Sequence, residues 1–375
     1  MDGIERIIQK LLSRLRMVSL EKVLSLLVRW LKKGKWLLLL LVCLLILQLF
    51  RSRPRVVTLQ GYAMDKPYSI QYEGKWANNY QPAIDSLLAD LAQAVALDDE
   101  DSVVKKFNQQ GCEAFPLENP FLYPLLEKSK EVYNRTKGVF DPTIAPLVDL
   151  WKKQLAVHEE PSEYEIDALL EYVSLDYVVV NKNRIKRLKE GVKIDVGGLV
   201  YGYAVDTVAG FLKYQGVKDL LVKIGDEAIA YGKQAKNKDW QVSETFTVKQ
   251  DTIAPITITI NLGNKAISVA RKNGYWMESS DQTSLLIDPQ TGYPPQNTLL
   301  AVIVLAQDCI SADAYTTAIM TKDLTFAQEL LKENKDIEAF LIYQDHADPI
   351  EFYTSDGLVM DKSEDGQAIS LSLRR

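Results

Sequence analysis

The stretch Ile194-Asp195-Val196-Gly197-Gly198, running on through Tyr201-Gly202-Tyr203-Ala204-Val205-Asp206, carries the most structural information in this chain. Glycines after a strand, as expected here, let the backbone approach a phosphate or a ring, and a helix N-terminus favours an anion. A tight strand-to-helix turn would use the same residues. The glycine spacing is not that of the dinucleotide fingerprint, so a doubly wound parallel sheet is not indicated.

Three further segments stand out around it. Gly138-Val139-Phe140-Asp141-Pro142-Thr143-Ile144 joins a glycine turn to an Asp-Pro-Thr helix opening, with Asp as cap and Pro in the first turn. Leu286-Ile287-Asp288-Pro289-Gln290-Thr291-Gly292-Tyr293-Pro294 ends a strand in dense turn chemistry. Ser311-Ala312-Asp313-Ala314-Tyr315-Thr316-Thr317 opens a helix on which Asp313 and Thr317, four apart, share a face. A carboxylate and a hydroxyl so placed suit a hard cation such as Mg²⁺, which takes oxygen ligands. A carboxylate favouring the positive helix end is the plainer reading.

Periodicity supplies the frame. Strands are expected at Val56 to Tyr62 and Tyr68 to Tyr72, turning at Lys66-Pro67. Ile84, Leu87, Leu88, Leu91 and Val95 mark an amphipathic helix, and further helices are expected from Pro120 to Thr136 and from Ser162 to Tyr172. Tyr177 to Val180 and Arg184 to Leu188 flank a hairpin signal at Asn181-Lys182-Asn183. A helix from Tyr203 to Tyr214 leads into a strand from Leu220 to Ile224, and strands dominate from Trp240 to Leu305. Helices from Ala312 to Thr321 and from Thr325 to Lys332 precede closing strands at Ile337 to Tyr343 and Ile350 to Tyr353. Helices and strands mix without a regular βαβ repeat, which predicts one α+β domain with substantial antiparallel sheet.

The 375 residues are 47% hydrophobic, enough for a sizeable core. Charge is uneven. Residues 1–35 hold nine Lys/Arg and three Asp/Glu, a net of +6, and residues 36–50 hold none. The whole chain is −6, so residues 51–375 carry −12, which argues against a nucleic-acid partner. Cys43, Cys112 and Cys309 lack metal-ligand spacing, and His158 and His346 stand alone, so a histidine-built zinc site is not expected.

Trp36 to Phe50 reads WLLLLLVCLLILQLF, with Lys33, Lys35, Arg51 and Arg53 at its flanks. Fifteen residues fall short of the roughly 20 that span a bilayer, but snorkelling basic side chains extend them. A transmembrane anchor is expected here rather than a cleaved signal peptide, for no small-x-small site follows. The basic excess before it places the N-terminus in the cytoplasm and the main domain in the periplasm or outside the cell. Residues 4–31 alternate Ile, Leu and Val with Arg and Lys at helical spacing, as in a cationic helix on an anionic membrane face or a packing helix. The organisation expected is therefore a cytoplasmic segment 1–35, an anchor 36–50 and a domain 51–375.

The four segments, in their order and spacing, resemble the FAD:protein FMN transferase family (ApbE-type). Ala63-Met64, Tyr68-Ser69-Ile70, Phe107-Asn108 and Leu147-Val148-Asp149-Leu150-Trp151 strengthen the likeness, which covers about Tyr62 to Thr321. The resemblance implies a single α+β domain with FAD as substrate in a cleft. It implies Mg²⁺-dependent cleavage of the FAD pyrophosphate, and transfer of FMN to a Thr or Ser hydroxyl of a flavin-acceptor protein with release of AMP. It places Mg²⁺ on Gly198 (through its carbonyl), Asp313 and Thr317. It places the cofactor against Met64, Phe140, Asp141, Pro142, Thr143, Asp195, Tyr201 and Asp288.

The departures are as informative. The family's Met-Gly-Thr reads Met64-Asp65-Lys66 here, its Lys is Tyr201, and its Gly-Gly-Asp is Gly225-Asp226-Glu227. Its Thr-Ser-Gly is Val269-Ala270-Arg271, and the His that would take the proton from the attacking hydroxyl is Leu285, with Ser284 alongside. No catalytic base is therefore assigned. Three functions follow as expectations: an active flavin transferase with a replacement carboxylate such as Asp226 or Glu227, a catalytically silent module holding FAD or a partner, and a Mg²⁺-dependent FAD pyrophosphatase.

Overall fold

The computed structural model describes residues 25, 40–43, 55–74, 78–234, 237–247, 255–272, 285–345, 349–364 and 367–374. The cationic segment 4–31 apart from Ser25, most of the apolar run 36–50, Ser284 and His346 lie outside the described residues. The chain divides into two units. In one, Met1–Arg55 with Gly74–Ala77, residues 40–43 are helical and exposed. Among the described residues no helix is long and apolar enough to cross a membrane.

The other unit, Val56–Glu73 with Asn78–Arg375, carries an α+β fold in three layers. Its strands are β1 (Arg55–Ala63), β2 (Lys66–Gly74), β3 (Phe115–Pro116), β4 (Val178–Asn181), β5 (Arg184–Arg187), β6 (Leu220–Ile224), β7 (Glu227–Tyr231) and β8 (Gln241–Phe246). They continue as β9 (Ile256–Asn261), β10 (Ala266–Arg271), β11 (Leu299–Ala306), β12 (Glu338–Tyr343), β13 (Glu351–Thr354), β14 (Leu358–Lys362) and β15 (Ala368–Leu373). The helices are α1 (Gln81–Val95), α2 (Val103–Gln109), α3 (Leu122–Arg135), α4 (Ala145–Leu155), α5 (Glu163–Leu170), α6 (Gly197–Tyr214), α7 (Cys309–Thr321) and α8 (Leu324–Glu333).

A large sheet runs β1-β2-β6-β7-β10-β11-β12-β13, and its pairings from β2 to β13 are antiparallel. β11, LLAVIVLA, is buried along its whole length, as a continuous apolar run between two covered faces should be. Its alternation divides the core: Val302 and Val304 join Val222, Leu199 and Ala318 on the helical side. Ala301, Ile303 and Leu305 pack instead on Phe246, Ile258 and Leu371 of a smaller sheet, β14-β15-β9-β8. In that sheet β15 and β9 pair in parallel, across a long stretch of sequence.

Three local expectations are corrected. The β1–β2 turn is Met64-Asp65, both left-handed (φ 52° and 60°), and Lys66-Pro67 lies inside β2. Two such residues give the twist a two-residue hairpin needs. Helix α6 begins at Gly197, six residues before Tyr203, and no strand precedes it. Residues before Gly197 are instead held by side chains: the Asn108 amide donates to the Ile194 carbonyl and accepts from its N–H, both at 2.8 Å. Helix α7 begins at Cys309, because Asp308 accepts the Ser311 N–H as cap.

The glycines open α6 for a close crossing. A Cβ at Gly202 would stand 2.3 Å from the carbonyl oxygen of Cys309 and 2.8 Å from Cβ of Asp313 on α7. No side chain fits there, so only glycine lets the two helices meet at this point.

Candidate functional site

The first turns of α6 gather the motifs. The Asp195 N–H donates to the Pro142 carbonyl at 2.7 Å, tying the segment 138–144 to the helix start. Phe140 lies against Gly198, where a Cβ would come within 3.2 Å of its ring. Gly202 donates its N–H to Asp313 Oδ2 at 2.9 Å, and Thr317 donates its hydroxyl to the Gly198 carbonyl at 3.2 Å. The Tyr201 hydroxyl donates to the Met64 carbonyl at 3.0 Å, fastening the β1–β2 turn to the same place.

Gly198, Asp313 and Thr317 are thus brought together as carbonyl, carboxylate and hydroxyl oxygens at the α6–α7 crossing. Asp313 is buried, whereas Gly198 and Thr317 are part-exposed. Among the described residues, no group of three or more His, Cys, Asp or Glu is arranged to hold a metal. The oxygen set here is of a different kind, and its donors are those a hard cation takes.

The crossing is strongly acidic. Burial pushes the Asp313 carboxyl up to about 7, against the opposing Gly202 N–H bond and with Asp226 adding to the rise. Burial raises Glu227 well above the ordinary range, and the negative charges of Asp313 and Asp226 add to it, with Lys66 opposing. Asp206 of α6 reaches about 7 for the same first reason, although it accepts the N–H groups of Cys309 and Ile310. A carboxylate at the positive end of α7 is favourable, so Asp206 caps that helix from its neighbour. Asp206 sits in the quoted stretch, yet nothing in the sequence marks this role, since its partners are about a hundred residues away.

The remaining sequence candidates are placed as follows. Phe140, Asp141, Pro142 and Thr143 are all buried. Asp141 accepts the Thr143 N–H (2.8 Å), the Thr143 hydroxyl (2.6 Å) and the Leu175 N–H (3.2 Å). Its oxygens hold the chain's own 3-10 turn at Pro142–Ile144, and burial raises its carboxyl to about 6. Asp195 accepts the Gly197 N–H at 2.7 Å at the head of α6. Asp288 is buried, ion-paired with Lys322, and accepts the Gln290 N–H in its own turn.

The departures have structural partners. Leu285 packs with Leu147, Trp151, Ile166 and Ile287 in a small apolar cluster between α4, α5 and the 287–293 turn. His158 is exposed in the α4–α5 loop and is not part of this site. Arg271 pairs with Asp226 at 2.5 Å and with Glu244 at 2.7 Å, and Glu244 also takes Lys223. Asp226 and Arg271, both among the departures, therefore hold opposite charges that neutralise each other. Asp226 is committed to this pair, whereas Glu227 faces Asp313.

An α+β domain with an oxygen-lined helix crossing beside the buried ring of Phe140 defines the class, and the sequence comparison gives the family. The ApbE family model matches residues 64–341, and the chain belongs to that family. It is 27% identical over 273 residues to the FAD:protein FMN transferase of Vibrio cholerae, which is 70% of this chain and 80% of that protein. To the Haemophilus influenzae protein of the same name it is 25% identical over 297 residues, 76% of this chain and 86% of that one. The fold is that of the flavin transferase ApbE from Vibrio cholerae, with TM-score 0.71 at 24% identity over 81% of this chain and 98% of that one. It is equally that of the Pseudomonas stutzeri flavinyl transferase ApbE in its apo form, with TM-score 0.71 at 22% identity over 81% and 95%.

Asp313 makes stability depend on pH in a defined direction. Its folded-state value of about 7 lies above the unfolded one of 3.8, so the metal-free folded chain holds a proton that the unfolded chain releases. Its contribution is fullest below the unfolded value and is lost as pH rises through about 7. Denaturation of metal-free protein at pH 5 and pH 8 should therefore show a smaller pH dependence in Asp313→Asn than in the parent. An unchanged dependence would remove Asp313 from the titrating cluster.

Proposed function

We propose that this chain is a Mg²⁺-dependent FAD:protein FMN transferase, moving FMN from FAD to a Thr or Ser hydroxyl of a partner flavoprotein with release of AMP. The observation that carries the reading is the meeting of the Gly198 carbonyl, Asp313 and Thr317 beside Phe140. Membership of the ApbE family and the names of its relatives supply the substrate.

In the reaction, the acceptor oxygen bonds to the phosphorus that carries FMN, and the bond from that phosphorus to the oxygen bridging to AMP breaks. The acceptor hydroxyl gives its proton to solvent, and AMP departs with the bridging oxygen and the electron pair of the broken bond. Water in place of the acceptor would give free FMN and AMP, the pyrophosphatase outcome. Mg²⁺, when bound by Asp313, Thr317 and the Gly198 carbonyl, neutralises the pyrophosphate and the charge developing at phosphorus. Phe140, against Gly198, and Met64, held by the Tyr201 hydroxyl, are the apolar side chains that would meet the flavin ring. The Asp195 segment, pinned by Asn108 and Pro142, holds the start of α6 still.

One observation favours a second reading, a domain that holds FAD without turning it over. Leu285 belongs to an apolar cluster, so no side chain at that position takes the proton. Loss of a general base lowers a rate by about 10²–10⁴, which leaves measurable turnover.

Purified full-length protein should bind FAD more tightly with Mg²⁺ and release AMP slowly, and Asp313→Ala should lose the Mg²⁺ dependence of both. Tight FAD binding with no AMP would establish the silent module. Absence of FAD binding at high micromolar concentration would refute both readings.

We further propose that residues 36–50 anchor the chain in the cytoplasmic membrane, with the N-terminus inside and the catalytic domain periplasmic or extracellular. The uncharged run and the +6 of residues 1–35 support this. The protein should stay in the membrane pellet after alkaline carbonate extraction, and protease added outside the membrane should reach the domain. Release by carbonate, or protection of the domain, would overturn it.

A further inference from the structure

An ion-pair network joins the acidic crossing to the smaller sheet. The β6–β7 turn is only two residues long, since Ile224 pairs directly with Glu227. Gly225 takes left-handed backbone there at φ +59°, which glycine adopts without strain, and Asp226 completes the turn. Asp226 is thus the neighbour of Glu227, the acid that faces Asp313. Its negative charge acts on the crossing, where it adds to the proton affinity of both Asp313 and Glu227.

Arg271, the last residue of β10, meets that charge. Its Nη1 donates to Asp226 Oδ1 at 2.5 Å, and its Nη2 donates to Glu244 Oε2 of β8 at 2.7 Å. The guanidinium lies 4.8 Å from the centre of the Phe246 ring, so a ring face and two carboxylates fix its plane. Glu244 also pairs with Lys223, and would keep that partner if Arg271 were removed. The four side chains balance, two positive and two negative. Asp226 is the member whose charge acts on Asp313, so losing Arg271 would expose the crossing to one more negative charge.

A divalent cation's affinity follows the charge of the groups around it, and Mg²⁺ is commonly held by only one or two carboxylates, keeping several waters. We infer that Arg271 sets the cation affinity of the crossing: by neutralising Asp226 it limits the negative charge that faces the Gly198, Asp313 and Thr317 oxygens. The inference rests on the cation reading of that crossing given above. Arg271 acts through Asp226, as a positioning residue and not as a ligand. The smaller sheet then has a part in the site, because Glu244 on β8 holds the second end of the same guanidinium.

The test is calorimetric titration of the full-length protein with Mg²⁺ alone at pH 8, above the value of about 7 to which burial raises Asp313. The proteins compared are the parent, Arg271→Gln, Arg271→Lys, Asp226→Asn and the double variant Arg271→Gln/Asp226→Asn. Arg271→Gln should bind Mg²⁺ roughly 3–10-fold more tightly, the effect of one added charge acting on a divalent ion through a largely aqueous path. Asp226→Asn leaves the guanidinium charge in excess and should weaken binding by a similar factor. The double variant should return close to the parent, and Arg271→Lys, which keeps the charge, should stay close to it. High salt should shrink both shifts, because the Asp226 side chain is 38% exposed. Unchanged or weaker Mg²⁺ binding in Arg271→Gln would overturn the inference. So would shifts of the same sign in the two single variants, which is the pattern of a loosened fold. Should Arg271→Gln fail to fold, Asp226→Asn carries the test, and unchanged binding there overturns the inference. A parent protein that binds no Mg²⁺ would instead defeat the cation reading itself, and this inference with it.

Discussion

Everything at the candidate site depends on the close approach of α6 and α7 at Gly202. Because residue 202 has no side chain, its N–H can point at Asp313 while the Cys309 carbonyl lies against its α-carbon. One turn earlier on α6, the Gly198 carbonyl is met by the Thr317 hydroxyl, one turn later on α7 than Asp313. The two contacts lie one turn apart along the crossing because the two helices pack closely on each other over the large sheet. A wider crossing would part the Thr317 hydroxyl from the Gly198 carbonyl and the Gly202 N–H from the Asp313 carboxylate.

That crossing concentrates negative charge where burial makes it costly. Asp313, Glu227 and Asp206 all have raised proton affinity, chiefly through burial. The chain offsets part of the cost with backbone N–H donors: Gly202 for Asp313, and Cys309 and Ile310 for Asp206. It handles a second group differently, pairing Arg271 with Asp226 and Glu244. Asp313 shares the crossing with the Gly198 and Thr317 oxygens, which is where a divalent cation would bring most benefit.

Much of this was legible in the sequence. Strong periodicity located α1, the β4–β5 hairpin and the closing strands β12 and β13, because apolar spacing reports which face is buried. Three of the four turn-rich segments, those at 138–144, 194–206 and 311–317, meet in the fold. What escaped notice depends on distant contacts. Helix α6 starts at Gly197 rather than near Tyr203 because its first turns are held by Asn108, Pro142 and Thr317. Glycine at a helix start reads locally as a turn. The Met64-Asp65 turn was hidden by the adjacent Lys-Pro, which is the stronger local signal for a break. Ion pairing between Asp226 and Arg271 unites two departures that look unrelated 45 residues apart.

The central claim is that Gly202 permits the contact that assembles the oxygen set, and chemical denaturation of two glycine variants of the same helix tests it most directly. At Gly210 there is nothing within 4 Å of an added Cβ, so Gly210→Ala should leave stability unchanged or raise it by up to about 1 kcal/mol. At Gly202 the added carbon meets the Cys309 backbone at 2.3 Å, so Gly202→Ala should lose about 1–3 kcal/mol. If the two variants were equally stable, the α6–α7 contact would not be the constraint on which the site depends.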